Sequence, residues 1–135
     1  MKRRSGARVS RIIYFYLAVI FALCLAVQVF LAGYAIFVDP VKWDYHTTFV
    51  KIFEYVPIFM LIVSFLGRLP ASMRWLSFSL FLLIMLMYAT ASLTSQAPIA
   101  GAFHPVAALL IFWLSIAITR KAWRLAYQPA GVQEV

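Results

Sequence analysis

The sequence predicts an all-α integral membrane protein. The expected fold is one antiparallel four-helix bundle running up-down-up-down, with both termini on the cytoplasmic side. Three observations predict it. Of the 135 residues, 65% are hydrophobic and only 12% charged, where a soluble domain is about half apolar and about a quarter charged. The apolar residues gather into four runs of membrane-spanning length, divided by short links. The basic residues cluster between those runs instead of covering one face. That clustering also decides how the formal charge of +8, from 12 Lys and Arg against 4 Asp and Glu, is read. It marks orientation in a lipid bilayer, and no nucleic-acid partner is expected.

The first span covers about residues 12–38. From Ile12 to Val38 it holds no charged residue, and the basic arm 1–11 in front of it carries Lys2, Arg3, Arg4, Arg8 and Arg11. A secretory signal has an apolar core of only about 7–15 residues. This run is longer and lacks a small-residue cleavage site, so it reads as a permanent anchor. Cys24, the single cysteine, lies inside it. One thiol makes no intrachain disulfide and no cysteine metal cluster, and it reads as a small buried hydrophobe. Leu23 before it is too large for a lipoprotein cleavage site.

The second span covers about residues 40–66. Asp39-Pro40 reads as an N-cap followed by the first helical residue, and Gly67 with Pro70 as a stop. Its outer half is polar, with Lys42, Asp44, His46, Thr47, Thr48, Lys51 and Glu54. Pro57 lacks an N–H and frees the Phe53 carbonyl, so a bend is expected beside Glu54. The third span covers about 73–94 and the fourth about 105–124. A start of the fourth near Pro98 would leave Pro105 inside the helix, breaking a backbone bond and bending it. The links Gly67–Ser72 and Ser95–His104 are short, so consecutive helices are antiparallel neighbours. Residues 1–135 form a single membrane domain without an internal repeat, and the tail 126–135, with Pro129, Gly131 and Glu134, is expected to be loose.

Sidedness follows from the basic residues. Five in the amino-terminal arm, Arg68 and Arg74 in the second link, and Arg120, Lys121 and Arg124 after the last span make ten on one side. Only Lys42 and Lys51 fall on the other, so the ten are cytoplasmic. Trp75, Trp123 and Tyr127 then lie at the inner boundary, and Trp43 and Tyr45 at the outer one, as aromatic belts do.

The chain has two histidines, His46 and His104, each near the outer start of an even-numbered helix. Helices two and four run in the same direction and lie diagonally across an up-down bundle. Two neutral imidazoles facing each other there can ligate the iron of one b-type haem. Ala32 and Gly33 on the first helix, and Ala89 and Ala91 on the third, leave room for a ring edge at that depth, though small residues also serve plain helix packing. Equally, His104 before Pro105 can cap the fourth helix. Counting from Arg68 and Arg120, the two histidines differ in depth by roughly 9 Å at about 1.5 Å per residue. Glu54, two turns below His46, is a carboxylate in the apolar zone. It reads either as the functional proton site of a small transporter or as a structural residue paired with Lys51 three positions earlier. Gln28 is a lone polar group expected to bond between helices. Tyr88, Thr90, Ser92, Thr94, Ser95 and Gln96 give the third helix a polar outer half to match the second. Nothing resembles a nucleophile with its base, a phosphate-binding loop or a thiol redox pair.

The stretch from Gln28 to Gly33, then His46, then Phe103-His104-Pro105 through Leu110 resembles a family of small bacterial four-helix membrane proteins of unknown function. More distantly, it is similar to one four-helix half of haem A synthase, over about Arg11 to Arg124. The resemblance implies a multi-pass protein of the bacterial cytoplasmic membrane, with His46 and His104 in the place of that enzyme's haem-ligating histidines. The enzyme uses two halves and two pairs, whereas this chain has one pair, and Glu54 sits deeper than the carboxylate beside the enzyme's first histidine. The expectation is therefore a non-catalytic protein binding one haem b, for electron transfer or haem handling. The alternatives are an accessory subunit associated with other membrane subunits or with copies of itself, and a small proton-coupled transporter using Glu54.

Overall fold

In the computed structural model, which describes residues 2–128, every regular element is a helix. α1 runs Lys2–Phe37, α2 Trp43–Phe53, α3 Val56–Leu66, α4 Ala71–Ser92 and α5 Pro98–Tyr127, with a short 3-10 turn at Pro40–Lys42. α2 and α3 are the two halves of one span. Four stretches are long and apolar enough to cross a membrane: Gly6–Phe37, Pro40–Leu66, Ala71–Ser92 and Pro98–Tyr127. The outward face of these rods is apolar: Phe37 is 86% exposed, Leu109 and Ile52 72%, and Leu66 67%. Such a belt is stable against hydrocarbon and not against water.

Local chemistry explains where each helix begins and ends. The basic arm is no separate segment, because α1 starts at Lys2. Lys and Arg favour helix and nothing before Phe37 breaks it. Asp39 caps the next element as expected, its carboxylate accepting from the Val41 N–H at 3.0 Å with Pro40 following. At the far end of α3 the Leu69 N–H reaches the Ser64 carbonyl at 2.9 Å and the Arg68 N–H reaches Phe65 at 3.1 Å. This is a Schellman cap. Its left-handed residue is Arg68 (φ 49°), whereas Gly67 stays right-handed. Gly67 serves packing instead, since a Cβ there would meet Ser10 of α1 at 3.0 Å.

The second span breaks at Glu54–Tyr55. Pro57 in the first turn of α3 has no N–H for the Phe53 carbonyl, and the ladder restarts with Ile58 and Phe59 both donating to Tyr55. The last helix departs from expectation. α5 begins at Pro98 and carries Pro105 inside it, so its start lies well before residue 105. Pro98 occupies the first turn, where its missing N–H costs nothing, and a membrane helix tolerates an internal proline. Gly101 lets the early turns lie against the link that follows α4, because a Cβ there would fall 2.7 Å from Thr94 Oγ1. α5 continues through Tyr127, so residues 126 and 127 are helical. Residues 129–135, with Pro129, Gly131 and Glu134, lie outside the described residues. α4 begins at Ala71 and ends at Ser92, each about two residues ahead of the expected 73–94.

The rods close a ring of contacts in which α1 packs on α5, α5 on α4, α4 on α3, and α3 back on α1. The densest core lies toward the end bearing most basic residues, around Tyr14, Phe21, Met60, Met73, Leu80, Ile111 and Ile118. Ser64, Ser77 and Ser115 are buried among them. Each donates to a carbonyl of its own helix, of Leu61, Met73 and Phe112 respectively. A serine satisfied in this way behaves as a small residue and allows close helix approach. The hydroxyl of Tyr14 lies 2.7 Å from Ser77 Oγ, tying α1 to α4. The opposite end is looser, for α2 packs on α1 and has no comparable contact with α4 or α5.

Gly101→Ala is expected to lower stability by about 1–3 kcal/mol through overpacking against Thr94. Thr94→Ala in the same chain should recover part of that loss, giving a coupling energy of at least about 0.5 kcal/mol in a double-mutant cycle measured by thermal unfolding in detergent. Additive effects would contradict the close approach.

Candidate functional site

The loose end of the bundle holds its polar groups. His46 sits on the first turns of α2 and is half-buried. Its Nδ1 lies 3.0 Å from the backbone carbonyl of Gln28 on α1, and the Gln28 side-chain amide donates back to the His46 carbonyl at 2.9 Å. Gln28 thus bonds between helices, and its Oε1 is buried without a partner. The edge of Trp43 packs on the His46 ring, with centroids 5.4 Å apart and planes at 87°.

His104 is also half-buried. Its Nδ1 lies 3.1 Å from the Met87 carbonyl and 3.2 Å from Thr90 Oγ1 on α4. The Thr90 hydroxyl is 3.0 Å from the carbonyls of Leu86 and Met87, which occupy its proton and leave its oxygen as an acceptor. The position of each ring proton follows from these partners. A carbonyl only accepts, so Nδ1 carries the hydrogen in both rings and Nε2 is left bare. Two histidines on different spans therefore have the same tautomer, each oriented by a backbone oxygen. Metal-ligating histidines are held in this way.

Depth along the bundle can be read from its internal contacts. Tyr14 of α1 meets Met73 of α4, its hydroxyl 3.4 Å from that carbonyl. Gln28, which holds His46, lies 28 − 14 = 14 residues above Tyr14, and Met87, which holds His104, lies 87 − 73 = 14 residues above Met73. Both anchors stand roughly 21 Å above the same contact at about 1.5 Å per residue. From Ser77, which the same hydroxyl touches more closely, Met87 stands 87 − 77 = 10 residues up, so the offset of roughly 9 Å expected from residue counting alone falls to roughly 6 Å or less. The early start of α5 puts the six residues 98–103 in helix ahead of His104, and the break in the second span shortens the path to His46. Gly33, on α1 one turn beyond Gln28, faces open space, with no packing atom within 4 Å of where a Cβ would stand.

Glu54 stands apart from this pair, at the break between α2 and α3. Its carboxylate accepts a hydrogen bond from the Tyr88 hydroxyl of α4. The expected pairing with Lys51 is replaced by this contact. The break turns Glu54 toward α4, while Lys51 stays on the exposed side of α2. Sequence reasoning placed Tyr88 and Thr90 in the polar half of the third helix without seeing their roles. It missed the Tyr14–Ser77 tie altogether; the available signal was a tyrosine and a serine at equal depth in otherwise apolar runs. Among the described residues no group of three or more His, Cys, Asp or Glu side chains gathers.

Residues 28–94 match the model of a family of unknown function, DUF6220. The chain is similar to that family over this stretch. It contains Gln28, Gly33, His46, Lys51, Glu54, Tyr88 and Thr90, while His104 falls beyond it. No curated protein and no solved structure matches the chain.

Glu54→Leu should cost about 1–3 kcal/mol, since it leaves the Tyr88 hydroxyl without its acceptor. Adding Tyr88→Phe should recover part of that loss, and Lys51→Met alone should stay within about 0.5 kcal/mol of the parent. A loss on Lys51→Met equal to that of Glu54→Leu would restore the ion pair as the real partner.

Proposed function

We propose that this protein binds one haem b between His46 and His104, in the outer half of a four-helix membrane bundle, for electron transfer or haem handling. What supports the reading is a pair of half-buried histidines on different spans, each with Nδ1 against a backbone carbonyl, a contact that leaves Nε2 of the neutral ring free to ligate. Gln28 fixes the first ring through both of its bonds to α2, and Thr90 with Met87 fixes the second. The loose packing of α2 allows the span to adjust to such a ligand without disturbing the core at the other end. When bound, the haem supplies a one-electron iron couple, low-spin under two neutral imidazoles. The reading is of a binding protein, and no catalytic step is assigned to its residues.

The same proposal includes orientation. The bundle threads up-down-up-down with both termini in the cytoplasm, in a bacterial inner membrane, supported by the ten-to-two division of basic residues. A reporter fused after Val135 should then be active only in its cytoplasmic form, and periplasmic activity would reverse the sidedness of the site.

A second reading rests on Glu54, a carboxylate held by Tyr88 at a helix break. Carboxylates at such positions handle protons in transporters. One set of variants separates the two. Protein expressed with ample haem and purified in mild detergent should show the sharp visible bands of a reduced low-spin b-type centre. His46→Ala and His104→Ala should each abolish them, and Glu54→Gln should leave them nearly unchanged. Folded, haem-supplied protein without Soret absorbance would remove the haem reading, and an accessory or Glu54-based role would take its place.

A further inference from the structure

The seam between α1 and α5 at the basic end opens into two adjoining clefts that meet at Gln128. One, of about 440 Å³, is lined by Arg8 and Arg11 of α1 and by Tyr127 of α5. The other, of about 380 Å³, is lined by Phe15, Arg120, Trp123 and Arg124. Four arginines therefore line the seam, two in each cleft. The acids among the described residues, Asp39, Asp44 and Glu54, all lie toward the other end of the bundle, so no described carboxylate neutralises them. Arg11 Nε is buried with no hydrogen-bond partner, and a buried donor without an acceptor is costly. Arg74 Nε is likewise buried without a partner, but Arg74 and Lys121 make other contacts within the protein. Arg74 donates to the Leu69 carbonyl and covers the Phe65 ring, and Lys121 donates to Ser72.

Aromatic side chains are interleaved with the arginines along both clefts. Phe15 packs edge-on against Trp123 (5.3 Å between centroids) and Tyr127 (5.7 Å), and Trp123 lies 4.4 Å from Tyr127. Aromatic side chains of this kind settle at the headgroup level of a bilayer. Clefts that are strongly positive, poor in acceptors and interleaved with interfacial aromatics suit the phosphodiester headgroup of a lipid lying at that level of the bilayer.

We infer that the α1–α5 seam binds the phosphodiester headgroup of an anionic phospholipid in the leaflet facing the basic end. Basic pockets between spanning helices bind such headgroups. The net positive charge of the groove favours lipids of net negative charge over zwitterionic ones, and its guanidinium forks suit a phosphate oxygen pair.

The test uses the full chain in detergent micelles doped with phosphatidylglycerol, with phosphatidylcholine of the same acyl chains, or with inorganic phosphate alone. Lipid adducts are counted by native mass spectrometry and stability is followed by thermal unfolding. Phosphatidylglycerol should give a one-to-one adduct and raise Tm, while phosphatidylcholine and inorganic phosphate should do neither. Arg11→Gln and Arg124→Gln should each weaken phosphatidylglycerol binding about fivefold, with the helical signal intact. Lys42→Gln, at the opposite end, should leave it unchanged. Should Arg11→Gln fail to fold, Arg120→Gln and Arg124→Gln carry the test. Equal retention of the two lipids, full protection by inorganic phosphate, or arginine variants that bind as well as the parent would overturn the site. A Glu134→Gln variant that binds the lipid many-fold more tightly would assign the groove to the chain's own tail, and would overturn it too.

Discussion

A backbone surrounded by hydrocarbon has no water to bond to, so each amide and carbonyl must find its partner inside the protein. The other features of this molecule are arranged around that constraint. It makes every regular element a helix, and it makes the few interruptions of the helical ladder the places where side chains acquire roles. The break at Glu54–Tyr55, caused by the missing N–H of Pro57, turns a carboxylate toward Tyr88 of α4. The first turns of α5, continued through Pro105, bring His104 against the carbonyl of Met87. Where the ladder is unbroken, as through most of α1, the polar side chains Gln28 and Tyr14 bond to other spans.

The constraint also divides the bundle into two unlike halves. Toward the basic end, the rods interlock around Tyr14, Met60, Met73 and Ile118, with three buried serines that spend their hydroxyls on their own helices. That half is a close-packed scaffold with little polar surplus. Toward the other end, α2 leans on α1 alone, and the interhelical contacts are hydrogen bonds as much as van der Waals packing. A rigid half beneath a looser, polar half is a workable arrangement for a site that must be positioned and also receive a ligand. The two histidines stand in the looser half, oriented by backbone oxygens whose positions are set by the helices themselves.

Much of the fold was legible in one dimension. Runs of apolar residues without charge measure the spans directly, and Asp39-Pro40 announced the start of the second one. Pro57 announced its bend. The position of α5's first residue was harder, because a proline inside a helix and a proline at its start look alike until the neighbour is known. Here the deciding neighbour is Thr94, which leaves room only for the hydrogen of Gly101. The stop after α3 was found, but on the wrong residue, since the left-handed conformation belongs to Arg68 and the glycine is spent on close contact with Ser10.

For the candidate site, the sequence by itself determined which groups were available: two histidines near the same end, one glutamine and one glutamate in apolar surroundings. These follow from residue type and from span length, which depend on neighbours along the chain. Only the tertiary structure decided their partners. Gln28 holds His46, Met87 and Thr90 hold His104, and Tyr88 displaces Lys51 as the partner of Glu54. Each of those contacts joins different spans, and its existence depends on helix rotation and depth. The helical repeat within one span does not specify either quantity; both are set when four rods pack against one another around a shared core.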